Sequence, residues 1–153
     1  MAHRIIESTA DVANFATLLN GLKLPVTVEW QKGRDRSLAQ NRLQFQWARE
    51  AAEQRGDMTP EEVRCEWKLH HGVPILRESS ASFRDIYDTA IKPLPYEYKL
   101  KAMRIIAVSS EMTVRQMVQY LDTIERECAE RGIRLTDPDA ELAKHHERYR
   151  KGE

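Results

Sequence analysis

The sequence predicts an α+β protein: a mainly helical single domain spanning residues 1–153, with a small strand–helix–strand unit near the N-terminus. Three observations carry this reading. Apolar and polar residues alternate after Pro25, as in a strand with one buried face. After Gly33, apolar residues recur at helical spacing behind capping motifs and proline starts. No linker, repeat or low-complexity tract divides the chain.

Taken in order, His3 to Glu7 carries Ile5 and Ile6 and reads as a short strand. Asp11 to Asn20 spaces Val12, Phe15, Ala16, Leu18 and Leu19 as a helix, with Gly21 as its stop. Val26, Val28 and Trp30 then alternate with Thr27, Glu29 and Gln31 as a second strand, giving a small crossover unit. Ser37-Leu38-Ala39-Gln40 is a capping box opening a helix to about Gln54, and Gly56 ends it. Thr59-Pro60-Glu61-Glu62 starts the next helix, which places Val63, Trp67 and His70 on one side and should stop at Gly72. Val73-Pro74-Ile75-Leu76 reads as an extended apolar link. A short helix from about Ser82 to Ile91 is broken by Lys92-Pro93-Leu94-Pro95, because each proline disfavours helix in the residue before it. Tyr96 to Ile106 reads as helix again. A third capping box at Thr113–Gln116 precedes a stripe of Val114, Met117, Val118, Leu121, Ile124 and Cys128 that runs to Gly132. Asp137-Pro138 starts a final helix bearing Leu142, Ala143, His146 and Tyr149.

Composition bounds the function. Hydrophobic residues make up 41% and charged residues 31%, ordinary for a globular chain able to bury a core. With 24 Lys+Arg against 24 Asp+Glu the net charge is zero, so any nucleic-acid site must be a local patch. Cys65 and Cys128 lie far apart with no metal-like spacing, and no stretch has the length of a signal core or a membrane span. The expectation is a reduced, cytoplasmic protein without cofactor or membrane contact.

Lys32 through Arg49 is the stretch with the most chemistry. Lys32, Arg34, Arg36 and Arg42 face only Asp35, and this basic loop feeds a helix N-terminus, which favours anions. Gln40 and Asn41 in the first turn can donate to phosphates or base edges, and Arg49 adds charge further along. Phe45 and Trp47 follow. Base stacking on aromatic rings plus cationic contact to the backbone is how single strands are held without sequence readout. The bland reading is a solvated basic turn with both aromatics buried. Phe45 shares a face with Leu38, Ala48 and Ala52 and is expected to be buried; Trp47 is open between stacking and burial.

Arg36-Ser37-Leu38-Ala39-Gln40-Asn41-Arg42 resembles the Arg-Ser-Leu-x-Gln-Asn-Arg signature of the phage NinB (Orf) recombination protein family, and Phe45 and Trp47 fit the aromatics that follow it there. Gly72-Val73-Pro74-Ile75-Leu76-Arg77 resembles a family segment, as does Lys92-Pro93-Leu94-Pro95-Tyr96-Glu97 with Lys99. Thr113 to Met117 and Ala129-Glu130-Arg131-Gly132-Ile133 resemble its C-terminal region. These blocks, in order, cover most of the chain after residue 30; residues 1–30 match only in pattern. Family members often carry a Pro-Val-Thr-type segment where this chain has Ala107-Val108-Ser109-Ser110. The resemblance implies a recombination mediator. Such a protein binds single-stranded DNA, associates with the host single-strand-binding protein and helps load a phage strand-annealing or exchange protein. It also implies an intertwined homodimer forming a ring with a central channel.

A second basic patch closes the chain: Lys144, His145, His146, Arg148, Arg150 and Lys151 face only Glu147. It is either a phosphate-binding helix or a frayed, solvated tail. The rival function is a metal-dependent nuclease, for which His70-His71 is the tempting pair. Adjacent helical residues point about 100° apart, however, and rarely share one metal. No His-x-x-x-His, Cys-x-x-Cys, glycine-rich phosphate loop or Gly-x-Ser context occurs, and Asp85 with Asp88 and Asp137 with Asp139 read as cap or surface carboxylates. The expectation is therefore no catalysis and no metal. A third reading is a protein-only adaptor using the Val114–Cys128 stripe, which is otherwise core or a dimer seam.

Overall fold

The computed structural model describes residues 4, 6–30, 38–138 and 140–150. It falls into two compact units, Met1–Lys32 and Gly33–Glu153. In the first unit, helix α1 (Thr9–Asn20) starts with a capping box: Asp11 N donates to Ser8 Oγ at 3.2 Å, and Ser8 N to the Asp11 carboxylate at 3.0 Å. No residue of α1 is buried.

The expected strand–helix–strand unit is overturned. The described residues contain no strand, so the architecture is helical rather than α+β. His3, Ile5 and Gln31 lie outside the described residues; Glu7 and the run from Lys23 to Trp30 form no ladder. Alternation creates an apolar face, but a strand exists only where a neighbouring backbone accepts and donates its hydrogen bonds. Here none does, and Val26, Val28 and Trp30 stand exposed.

The second unit contains seven α-helices among the described residues: α2 (Leu38–Arg55), α3 (Pro60–Trp67), α4 (Val73–Ser79), α5 (Ala81–Ile86), α6 (Tyr96–Ala102), α7 (Val114–Glu130) and α8 (Ala140–Arg150). The capping boxes at Thr59 and Thr113 form as read. Gly56 and Gly132 end α2 and α7 with φ of 76° and 74°, a conformation other residues reach only with strain. The α7 stripe is core: Met117, Tyr120, Leu121 and Ile124 are fully buried among Trp47, Ala48 and Val63. It is therefore not an exposed adaptor surface.

Gly72 does not end a helix. Residues Lys68–Gly72 form a π-helical turn that joins α3 to α4, and Val73–Leu76, expected to be extended, is helical. Pro74 sits just after this π-helical turn, at the beginning of α4, where the wider turn already shifts the backbone hydrogen bonds: Val73 N donates to the Lys68 carbonyl. Gly72 is there for space: a Cβ would come 2.6 Å from Val108 Cγ1. Beside it the buried Lys68 ammonium donates to the carbonyls of Met103 and Ile106, the latter at 2.7 Å, and so ties down the chain leaving α6. The helix expected to reach Ile106 ends at Ala102, and the carbonyls that accept from this lysine belong to the turn beyond it.

After α7, residues 133–136 run along α2 as a strap. Gln54 exchanges two hydrogen bonds with the Arg134 backbone (2.6 and 2.8 Å), and Glu50 accepts from Thr136 N and Oγ1. Helix α8 then docks on α7 through the buried Leu142 and His146. Residues 140–150 are thus folded, not a frayed tail.

Candidate nucleic-acid interface

Helix α2 sorts the expected site residues by helical phase. Residues at 40, 44, 47, 48 and 51 face inward and are buried; Arg42, Phe45 and Arg49, spaced i, i+3, i+7, share the outer face. Two expected contacts move to the core. Gln40 is fully buried, its amide nitrogen 3.0 Å from His146 Nε2 and 3.4 Å from the Val114 carbonyl. Trp47 is 1% exposed and donates its indole N–H to the Thr136 carbonyl at 2.7 Å. A buried indole needs such an acceptor, and the strap supplies it. Neither side chain reaches the surface.

Phe45 departs from expectation in the opposite direction. It is 41% exposed, at the border between the Ala48/Ala52 face and the arginine face. The Arg64 guanidinium, from α3, sits over its ring at 4.1 Å, while Arg64 Nε is buried without a hydrogen-bond partner. A guanidinium stacked on a half-exposed ring is a flat cationic platform. Arg42 and Arg49 flank it, and neither makes an ion pair among the described residues. Asn41 is half-buried beside them. Arg42 also borders a shallow cleft of about 290 Å³, lined by Gln46, Thr136, Asp137 and Leu142.

Lys32, Arg34 and Arg36 lie outside the described residues, as does Lys151. At the C-terminal patch Lys144 and Arg148 are exposed on α8, but Arg150 is committed to a two-pronged pair with Asp122 of α7, Nε to Oδ2 at 2.9 Å. That pair raises the Arg150 pKa and makes the residue a clamp for α8 rather than a free phosphate contact.

The histidines have protein partners. His71 Nε2 pairs with the Glu127 carboxylate, and His70 Nε2 lies 2.8 Å from the Tyr96 hydroxyl. Both border a small cavity of about 180 Å³ with Glu78, Gln119 and Thr123. Among the described residues no three His, Cys, Asp or Glu side chains are grouped to hold a metal ion. Asp88 is bidentate to Arg77 at 2.8 and 2.9 Å, which lowers its pKa. Cys65 and Cys128 are free and buried, and burial pushes the Cys128 thiol up to about 11. Among the described residues, no helix is long and apolar enough to cross a membrane.

Arg64 is the residue that sequence reasoning missed. It sits among glutamates in the last turn of a short helix, and nothing in its neighbourhood points to a ring contributed by the preceding helix. Comparison with protein-family models, with curated proteins and with solved structures finds no match to this chain.

Proposed function

We propose that this protein binds single-stranded DNA without sequence preference through the outer face of α2, as a non-catalytic recombination mediator of the NinB type. One observation carries the binding reading: Phe45, half exposed under the Arg64 guanidinium, is flanked on one helix face by Arg42 and Arg49, which make no ion pair among the described residues. Cations track the phosphate backbone while a ring accepts an unstacked base, and every base has a π-face. A duplex keeps its bases stacked and offers the ring nothing. The ordered sequence blocks from Arg36 to Ile133 support the recombination role, with its homodimer, its association with the host single-strand-binding protein and its loading of a phage annealing or exchange protein.

The test is fluorescence anisotropy with labelled oligo(dT) and a duplex of equal length. Single strands should bind more tightly. Phe45→Ala should weaken binding roughly 5- to 100-fold, the range of one stacked base, while leaving the melting temperature nearly unmoved. Equal affinity for duplex, or full affinity in a folded Phe45→Ala variant, contradicts the reading.

A further inference from the structure

We propose that α6 and the turn after it form a second single-strand-binding surface, built on Tyr96, Tyr98, Lys101 and Arg104. The inference rests on the single-strand reading but concerns residues outside the α2 face.

Charge comes first. Between residues 92 and 106 the chain carries Lys92, Lys99, Lys101 and Arg104 against only Glu97, in a protein of zero net charge. Lys92, Lys101 and Arg104 are exposed; Lys92 lies near Asp88, and among the described residues neither Lys101 nor Arg104 makes an ion pair. Unpaired cations on one short segment attract a polyanion.

The rings give the surface its chemistry. Tyr96 is 52% exposed and Tyr98 50% exposed. Lys101 Nζ lies 5.2 Å from the Tyr98 ring centroid, so cation and ring meet at one place. Tyr96 is held by its hydroxyl against His70 Nε2 at 2.8 Å, with the two rings 5.7 Å apart and inclined by 35°. Its orientation is therefore fixed before any ligand arrives. Ile105, 88% exposed, adds an apolar edge.

The surface is also mounted rigidly. Met103 is fully buried, and Lys68 donates to the carbonyls of Met103 and Ile106, so the turn carrying Arg104 and Ile105 is pinned from inside. Helix α6 packs on α3, the helix that carries Arg64. Half-exposed rings with unpaired cations favour unstacked bases over a duplex or an acidic protein surface, neither of which supplies free π-faces.

The experiment uses the full-length protein and an oligo(dT) length series in anisotropy. Tyr98→Ala should lose roughly 5- to 100-fold in affinity for long oligomers, and Tyr98→Phe should restore it, because stacking needs the ring and not the hydroxyl. Lys101→Ala with Arg104→Ala should lower the salt slope by about 1.4, two contacts at about 0.7 each. Arg42→Ala/Arg49→Ala is measured in parallel. If that pair loses affinity while Tyr98→Ala and Lys101→Ala/Arg104→Ala bind normally, the second surface is refuted and the α2 reading stands. If wild-type protein binds no oligomer, both fail together. If an oligoglutamate peptide displaces oligo(dT) from wild type but not from Lys101→Ala/Arg104→Ala, and Tyr98→Ala is silent, the surface takes acidic protein and the inference is overturned.

Discussion

Gln44 is the least comfortable residue in the core. It is fully buried on the inner face of α2, one turn after Gln40 and one turn before Ala48, and neither its Nε2 nor its Oε1 has a hydrogen-bond partner. Gln40 on the preceding turn is bonded to His146 and the Val114 carbonyl, so of the two amides on this face Gln44 is the one left unsatisfied. Burying an amide without compensation costs roughly 1–3 kcal/mol in mutational data. Gln44→Met keeps the length and unbranched shape and removes both polar atoms, so it should stabilise the protein by about that amount. For a unit of this size the Tm should rise by roughly 3–12 °C. Urea and thermal unfolding followed by circular dichroism measure it, with oligo(dT) affinity expected to stay unchanged because the residue is remote from the exposed face. A Tm that falls by several degrees would show that the Gln44 amide is satisfied in solution and that the reasoning from its isolation is wrong.

Three further outcomes follow from the same geometry. Trp47→Ala should cost about 3–5 kcal/mol by emptying a core site and leaving the Thr136 carbonyl unpaired; a folded variant of normal stability with reduced DNA affinity would return Trp47 to the surface. Gly72→Ala should destabilise by about 1–3 kcal/mol, since the new Cβ meets Val108 Cγ1 at 2.6 Å, and a simultaneous Val108→Ala should recover part of the loss in a double-mutant cycle. Asp88 has a pKa held below its ordinary 3.8, chiefly by the Arg77 hydrogen bonds, so its contribution is present above that value and is lost as pH falls through the lower folded-state value. Urea midpoints of wild type and Asp88→Asn should therefore differ at about pH 6 and converge at about pH 2; a gap that persists in acid contradicts the pairing.

Some of this was legible in the sequence, and the limits have physical causes. The capping boxes at Thr59 and Thr113 and the stops at Gly56 and Gly132 were readable because each is a local device completed within four residues. The strands near the N-terminus were misread because alternation marks a face but cannot supply the second backbone that makes a ladder. Val73–Leu76 was misread because Pro74 looks like a breaker, whereas it sits just after a π-helical turn, at the beginning of α4. At the candidate site, the charge reading of Arg42 and Arg49 does not say which way they face, and helical phase puts both on the exposed side of α2. Phe45, expected to be buried, is half exposed, and Trp47, open in the sequence, is buried, since two positions along a helix is a rotation of about 200° and the sequence does not say which side the strap at Thr136 covers. Gln40 was drawn as a ligand contact because its partner, His146, lies more than a hundred positions away. Arg64 over Phe45 was invisible for the same reason: the pair is made by tertiary packing of α2 on α3.

The central claim, that a basic aromatic face on α2 holds single-stranded DNA by its backbone, is tested most directly by the salt dependence of oligo(dT) binding. Affinity should fall linearly on a log–log plot against salt, and Arg42→Ala/Arg49→Ala should flatten the slope by about 1.4, two phosphate contacts at about 0.7 each for single strands. The loss should be the same for oligomers of different sequence, because phosphate contacts carry no base information. An unchanged slope in a correctly folded Arg42→Ala/Arg49→Ala protein would place the DNA elsewhere and contradict the account.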